Sequence, residues 1–282
     1  MQDAAFVVVR GLLLAVLPAT FGLALFARKR SAGRRGLIVA TIAALLLSGV
    51  AFVLMAAAMT GTGVAAIDRD LLWMLVGETT PGTAFLLRTA ALVAMLIVLL
   101  VPQPRFAIVA SLAAIASATL AWNGHGAMDE GAAGWLHLLS DIVHLLAAGA
   151  WIGALTVFVG LVFRRSGEAQ NALAGFAGMG TAIVATILLT GIVNAGMTIG
   201  IDGIPRLGSS LYGQLLLAKL SLFALMLTLA AANRFVLTPR LATSGNVHAL
   251  RISLSVEFAA GVLIVLLIGW AGTLEPPVSA MS

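Results

Sequence analysis

The chain has 282 residues, 61% of them hydrophobic and only 10% charged, with a mean hydropathy of +1.10. Soluble domains run nearer to about half apolar and about a quarter charged, which excludes a soluble globular protein; the net charge of +5, which in a soluble chain would point to nucleic acid, belongs here to short basic loops between apolar segments. Cysteine is absent, which excludes a disulfide framework, a thiolate metal site and a Cys nucleophile and leaves the redox compartment open.

A helix needs about 20 apolar residues to cross bilayer hydrocarbon. Segments of this kind fall, in chain order, at 4–27, 37–60, 84–101, 106–122, 136–163, 174–199, 212–237 and 250–273. The first opens MQDAAFVVVRGLLLAVLPATFG, with no basic stretch ahead of its apolar run, and reads as a retained span rather than a cleaved signal peptide. The third and fourth are short and separated by the Pro-punctuated VPQPR. Lipid tolerates no unsatisfied backbone, and none of the segments alternates with the period of two of a barrel strand, so all are expected to be helices. The prediction is an all-α polytopic membrane bundle of about eight transmembrane helices, a single domain over 1–282, without internal repeats. The 30 glycines fit helices whose backbones approach closely.

Lys and Arg set the orientation. Arg28, Lys29, Arg30, Arg34, Arg35, Arg105, Arg164, Arg165, Arg234, Arg240 and Arg251 fall at one set of helix ends, eleven of the 16 basic residues. The opposite ends carry Arg69 and Arg206 among Asp68, Asp70, Glu78, Asp129, Glu130 and Asp202. The positive-inside rule places the first set in the cytoplasm and both termini outside it, in the periplasm of a bacterium.

The fifth span begins HLLSDIVHLLAAGAWIGAL. His137, Asp141 and His144 are spaced i, i+4, i+7 and share one helical face, which Trp151 continues inward. His144 is expected about 12 Å below the outer start of its helix and His137 at the surface. Ionisable groups at such depth are functional by default; the bland reading is that His144 only orients packing. His137 and His144 are about 10 Å apart along the axis, too far to share one ion through bonds near 2 Å. Asp141 with either neighbour could do so, as could ligands from the loop NGHGAMDEGAAG, which supplies His125, Met128, Asp129 and Glu130. A His/Met/Asp set without Cys suits a copper ion on the oxidising side, and also zinc or a haem axial ligand.

Arg10, Arg88, Asn194 and Lys219 lie in the outer thirds of their spans and, with Asp141 and His144, suggest one polar cavity open to the outside. Met55 and Met59 in the second span and Met197 in the sixth could pass Cu(I) along, although Met also fills gaps in apolar cores. In the inner half, Glu257 is expected to pair with Arg234, with Asn233 beside it; a proton or ion relay is the sharper alternative.

Four stretches in order resemble the bacterial copper resistance protein D family (CopD, PcoD): WNGHGA, DIVHLLAAGAWIGAL, LYGQLLLAKLSLFALMLTLAAANRFVLTPRL and LRISLSVEFAAGVLIVLLIGWAGTLEPP. The resemblance covers about residues 85–277, and the first two spans agree in topology alone. It implies a multi-pass inner-membrane protein, not an enzyme, that moves copper from periplasm to cytoplasm, served by a small periplasmic carrier of the CopC type. The family's histidine-bearing motifs map onto His125, His137 and His144. Asp141 is expected as a further ligand or as the acceptor that fixes a histidine tautomer. Met128, Asp129, Met197 and Met59 are lesser candidates, and Lys219, Asn194, Arg88, Arg234 and Glu257 are structural or coupling residues. The chain shows no Met-rich or His-rich capture segment and no nucleotide motif, so transport is expected to be facilitated or ion-coupled. Two other classes compete: a haem b or quinone redox protein, whose propionates Arg10, Arg88 or Lys219 would hold, and a copper sensor or carrier-docking protein without transport. A homodimer is compatible with any of them.

Overall fold

The computed structural model describes residues 2–26, 31–61, 63–123, 131–164, 168–244, 247–272 and 274. Among these there are helices and no strands: α1 (Gln2–Phe26), α2 (Ser31–Thr60), α3 (Arg69–Glu78), α4 (Thr80–Leu100), α5 (Phe106–Ala118), α6 (Gly131–Phe163), α7 (Glu168–Gly203), α8 (Leu211–Ala232), α9 (Thr238–Ser244) and α10 (His248–Ala271). Seven spans are long and apolar enough to cross a membrane: α1, α2, α4, α6, α7, α8 continued through α9, and α10.

The fourth predicted span, 106–122, is not among them: it forms a shorter apolar helix. α5 has 13 residues, or about 20 Å. Its inner end packs Val109 against Leu99 and Leu37. Its outer end places Thr119 against Arg88, whose Nε donates to the Thr119 hydroxyl at 2.8 Å and whose Nη2 donates to the Thr119 carbonyl at 3.3 Å. A turn at Ala121–Asn123 continues outward from there. α5 thus runs antiparallel to α4 beside it, and the start of α1 lies at the same end of the bundle as the end of α10, where the Arg10 side chain reaches Gly272.

The described helices extend beyond the apolar runs. α2 begins at Ser31, α6 at Gly131 and α7 at Glu168, each five or six residues ahead of its hydrophobic segment. α3 is an addition to the sequence reading. It lies on the outer side, started by Asp68, whose carboxylate accepts from the Asp70 amide. It folds back on α4, whose first turn is capped by the Thr79 hydroxyl accepting from the Gly82 amide at 3.1 Å with Pro81 inside that turn. Leu75 packs with Phe52 and Ala56 of α2 and Phe85 of α4.

α1 is the central helix: it packs on α2, α5, α6 and α10. Lipid is as apolar as leucine, so association rests on close van der Waals fit rather than on a hydrophobic drive. Gly22 meets Gly149 and Gly153 of α6 backbone to backbone, and a Cβ at any of the three would overlap the opposite chain. Gly269 of α10 meets Gly11 as closely from one side: a Cβ on Gly269 would overlap the Gly11 Cα, whereas one on Gly11 would lie in ordinary contact at 3.9 Å. Large apolar side chains such as Leu46, Ile97, Leu189 and Ile192 point outward, as a lipid solvent permits.

The inner arginines close helix ends. Arg34 Nε donates to the Leu99 carbonyl at 2.8 Å, and Arg251 Nη2 to the Val162 carbonyl at 3.2 Å while its guanidinium stacks over Phe163. Each satisfies an orphan C-terminal carbonyl and places positive charge at the negative end of a helix dipole.

Candidate functional site

The stripe on α6 forms as its spacing predicts, with one change of depth. Because α6 starts at Gly131, His137 is not at the surface but buried, at 2% exposure. Its Nε2 lies 3.9 Å from Asp141 Oδ2. One turn further in, His144 Nδ1 lies 2.9 Å from the Thr190 hydroxyl on α7, and the Ser140 hydroxyl donates to the Thr190 carbonyl at 3.3 Å. Gly191 leaves room beside the imidazole: a Cβ there would lie 3.6 Å from His144 Cε1.

The Thr190 hydroxyl has one proton and lies 2.6 Å from the Thr186 carbonyl, 3.3 Å from the Ile187 carbonyl and 2.9 Å from His144 Nδ1. With that proton on the shortest of these contacts, the Thr190 oxygen accepts and His144 Nδ1 carries the hydrogen it donates. Neutral His144 then presents Nε2 as a bare lone pair, the form that binds metal ions. A second residue fixing the orientation and basicity of a ligating histidine is the general pattern of metal sites.

Three residues of α7 complete the facing wall. Thr190, Asn194 and Met197 are spaced i, i+4, i+7, the mirror of His144, Asp141 and His137 on antiparallel α6. With Thr190 against His144, the register sets Met197 level with His137. Asn194 Oδ1 is buried without a hydrogen-bond partner, a polar atom left for something besides the described protein groups. From α8, Tyr212 and Lys219, seven residues apart and hence on one face, come within Coulombic range of Asp141, and Lys219 also of His144.

His125, Met128 and Asp129 lie outside the described residues. Among the described residues there is no cluster of three or more His, Asp or Glu side chains placed to hold one ion. The imidazoles of His137 and His144 do not converge; Asp141 stands between them. Met59 is 62% exposed on α2, which packs against α1, α3 and α4, so it stands apart from the stripe.

Two expectations about the other polar residues are corrected. Arg10 and Arg88 do not join the α6 stripe; they line a separate cavity between α1, α2 and α4. Nor does Glu257 pair with Arg234. Its carboxylate, 2% exposed, accepts from Trp151 Nε1 and from Asn233 Nδ2, each at 2.9 Å. The reason is a π-helical turn at Asn233–Leu237, whose wider winding leaves Asn233 buried facing α10. Arg234 turns to α7, donating to Thr181 Oγ1 and the Ala177 carbonyl. Glu257, Asn233, Trp151 and Arg234 line an inner-half cavity of about 250 Å³. Trp151, two turns below His144 on the same face, separates that cavity from the outer stripe.

Sequence reasoning passed over Thr190 and Tyr212. The signals were the i, i+4 spacing of Thr190 to Asn194 and the i, i+7 spacing of Tyr212 to Lys219.

Fold and stripe together define a multi-pass helical membrane protein with ionisable side chains set into the outer half of its bundle. The family model described as copper resistance protein D-like, N-terminal domain, matches residues 1–135, and that described as copper resistance protein D matches residues 170–271. The chain belongs to the copper resistance protein D family. It is 40% identical over 313 residues, 99% of each chain, to copper resistance protein D of Pseudomonas syringae pv. tomato. It is 29% identical to the inner membrane protein YebZ of Escherichia coli (strain K12), over 82% of this chain and 81% of that one. It is also 29% identical to the copper transport protein CutJ of Bacillus subtilis (strain 168), over 52% of this chain and 26% of that longer one. The likeness thus includes the first two spans, for which the sequence motifs offered topology alone. No solved structure matches.

Proposed function

We propose that this protein is a copper transporter of the inner membrane, moving the ion from periplasm to cytoplasm, and not an enzyme. The observation that carries the reading is the His144–Thr190–Thr186 chain, which anchors the imidazole through Nδ1, one turn from Asp141, and in the matching tautomer leaves Nε2 to a metal ion. Copper would enter between Asp141 and His144, or between His137 and Asp141, each pair one turn apart. His125 and Asp129 are candidate ligands from the outer loop, and Met197 would suit the reduced ion. A periplasmic carrier of the CopC type would deliver the metal. Below the stripe, Trp151 closes the path and Glu257 offers the next carboxyl oxygen, at the head of the inner cavity. Conduction of this kind needs sites that bind well enough to admit the ion and weakly enough to release it. The names of the relatives support the cargo; the direction rests on the orientation of the stripe.

The haem reading is disfavoured by ligand placement. Axial ligands approach a haem from opposite faces, and the two described histidines of the outer half, His137 and His144, both stand on α6. The deciding experiment is copper uptake into sealed liposomes carrying purified protein, with the metal supplied to the outer face. Wild type should load the lumen, and His144→Ala, folded by thermal unfolding, should not. Copper binding without uptake would leave a sensor or carrier-docking protein in its place; a Soret band in the purified protein would point to haem.

A further inference from the structure

The outer half of the unit formed by α1, α2, α4 and α5 contains a cavity of about 270 Å³ that the copper reading does not use. Its apolar walls include Phe52, Met55 and Phe85, and its polar groups are Ser48, Arg10 and Arg88. The Ser48 hydroxyl is committed to the Ala44 carbonyl at 2.7 Å, so the two guanidinium groups set the cavity's chemistry. Arg88 is 3% exposed, and the groups to which it donates, the hydroxyl and carbonyl of Thr119, are both neutral. Arg10 reaches toward Gly272 at the outer end of α10 and, among the described residues, has no ion-pair partner. Among the described residues no carboxylate stands between these two cations, and positive charge at this depth calls for an anion.

We propose that this cavity binds an acidic phospholipid, its phosphate held between Arg10 and Arg88 and the start of an acyl chain lying against Phe52 and Phe85. Guanidinium groups grip phosphate oxygens in pairs. The bilayer supplies phosphate at the right level: Arg10 stands 16 residues above the inner end of α1 at Phe26, about 24 Å of a hydrocarbon layer about 30 Å thick. An arginine side chain extended from there reaches the outer phosphate layer. The apolar walls favour an amphiphile over a bare ion. Two positive groups favour a lipid of net negative charge over a zwitterion. Among the described residues no histidine lines the cavity.

The test is native mass spectrometry of the delipidated full-length protein in uncharged detergent, titrated with dioctanoyl phosphatidylglycerol. Dioctanoyl phosphatidylcholine and inorganic phosphate serve as competitors. The expected result is one saturable phosphatidylglycerol, which phosphatidylcholine displaces only at about tenfold higher concentration and millimolar inorganic phosphate does not displace. Arg10→Gln should weaken it about tenfold, the loss of one charge-assisted contact. Ala51→Trp, which fills the cavity while keeping both arginines, should abolish it. Thermal unfolding identifies variants that fold. Phosphatidylglycerol bound equally by wild type and both folded variants overturns the proposal. Displacement by inorganic phosphate overturns it in favour of a free anion, and equal binding of phosphatidylcholine overturns the charge argument.

Discussion

Thr190→Val isolates the contact on which the copper reading turns. Valine reproduces the shape of threonine and deletes only the hydroxyl, so the packing of α7 against α6 is retained. What is lost is the acceptor 2.9 Å from His144 Nδ1, and with it the reason for the proton to sit on Nδ1 and the lone pair on Nε2. Removal of such an orienting partner weakens metal binding by about 10–100-fold, or about 1.4–2.7 kcal/mol. The assay is copper binding to detergent-solubilised protein, followed by uptake in liposomes. The control is Thr186→Val. Its hydroxyl bonds the Ala182 carbonyl at 2.8 Å within the same helix, so it loses an equivalent local bond without touching His144. Copper affinity of Thr190→Val within about twofold of wild type would refute the tautomer argument. So would an equal loss in Thr186→Val, which would make the effect one of helix α7 and not of His144.

Lys219→Met removes the cation nearest the stripe, and copper affinity should rise about tenfold, read in the same binding assay. Asn233→Ala leaves a buried oxygen of Glu257 without the donor it has at 2.9 Å; the protein should lose about 1–3 kcal/mol, read as a lower unfolding midpoint in detergent. Gly153→Val places a branched side chain against the backbone of Gly22 and Leu23; α1 and α6 should separate, and the variant should unfold at lower temperature than a Gly160→Val control, where a Cβ has open space.

The spans were readable in the sequence because bilayer thickness acts locally, segment by segment. α3 was not. Its 10 residues fall below any spanning length, and its outer-face position depends on packing with Phe52 and Phe85. The signals it did carry were Asp68 as a cap and Thr79 with Pro81 at the start of α4. The α6 stripe was readable because i, i+4, i+7 is a property of one helix. Its partners were not, because which face α7 turns to α6 is set by tertiary packing. Thr190 gave no distinguishing sign: Thr41, Ser48 and Ser117 also return their hydroxyls to the carbonyl four residues earlier, the ordinary habit of hydroxyl residues in membrane helices. The Glu257–Arg234 pair failed for a similar reason. Regular α-winding was assumed through Asn233 and Arg234, and the π-helical turn there changes which of the two meets α10.

The separation of the arginines resolves a difficulty in the sequence taken alone. Arg10, Arg88 and Lys219 share a depth with Asp141 and His144, and three cations around a cation site would repel the cargo. The fold divides them. α1, α2, α4 and α5 enclose the two arginines, while α6, α7 and α8 carry the histidines, the carboxylate and the single lysine. On the proposed copper reading, Lys219 is then the cation beside the stripe among the described residues, and it stands in Coulombic range of Asp141. An ammonium group there neutralises the carboxylate before metal arrives, which lowers the cost of a buried charge, and it weakens metal binding by repulsion afterwards. A site tuned in that way favours release over storage, which is what a transporter needs and a metal store does not.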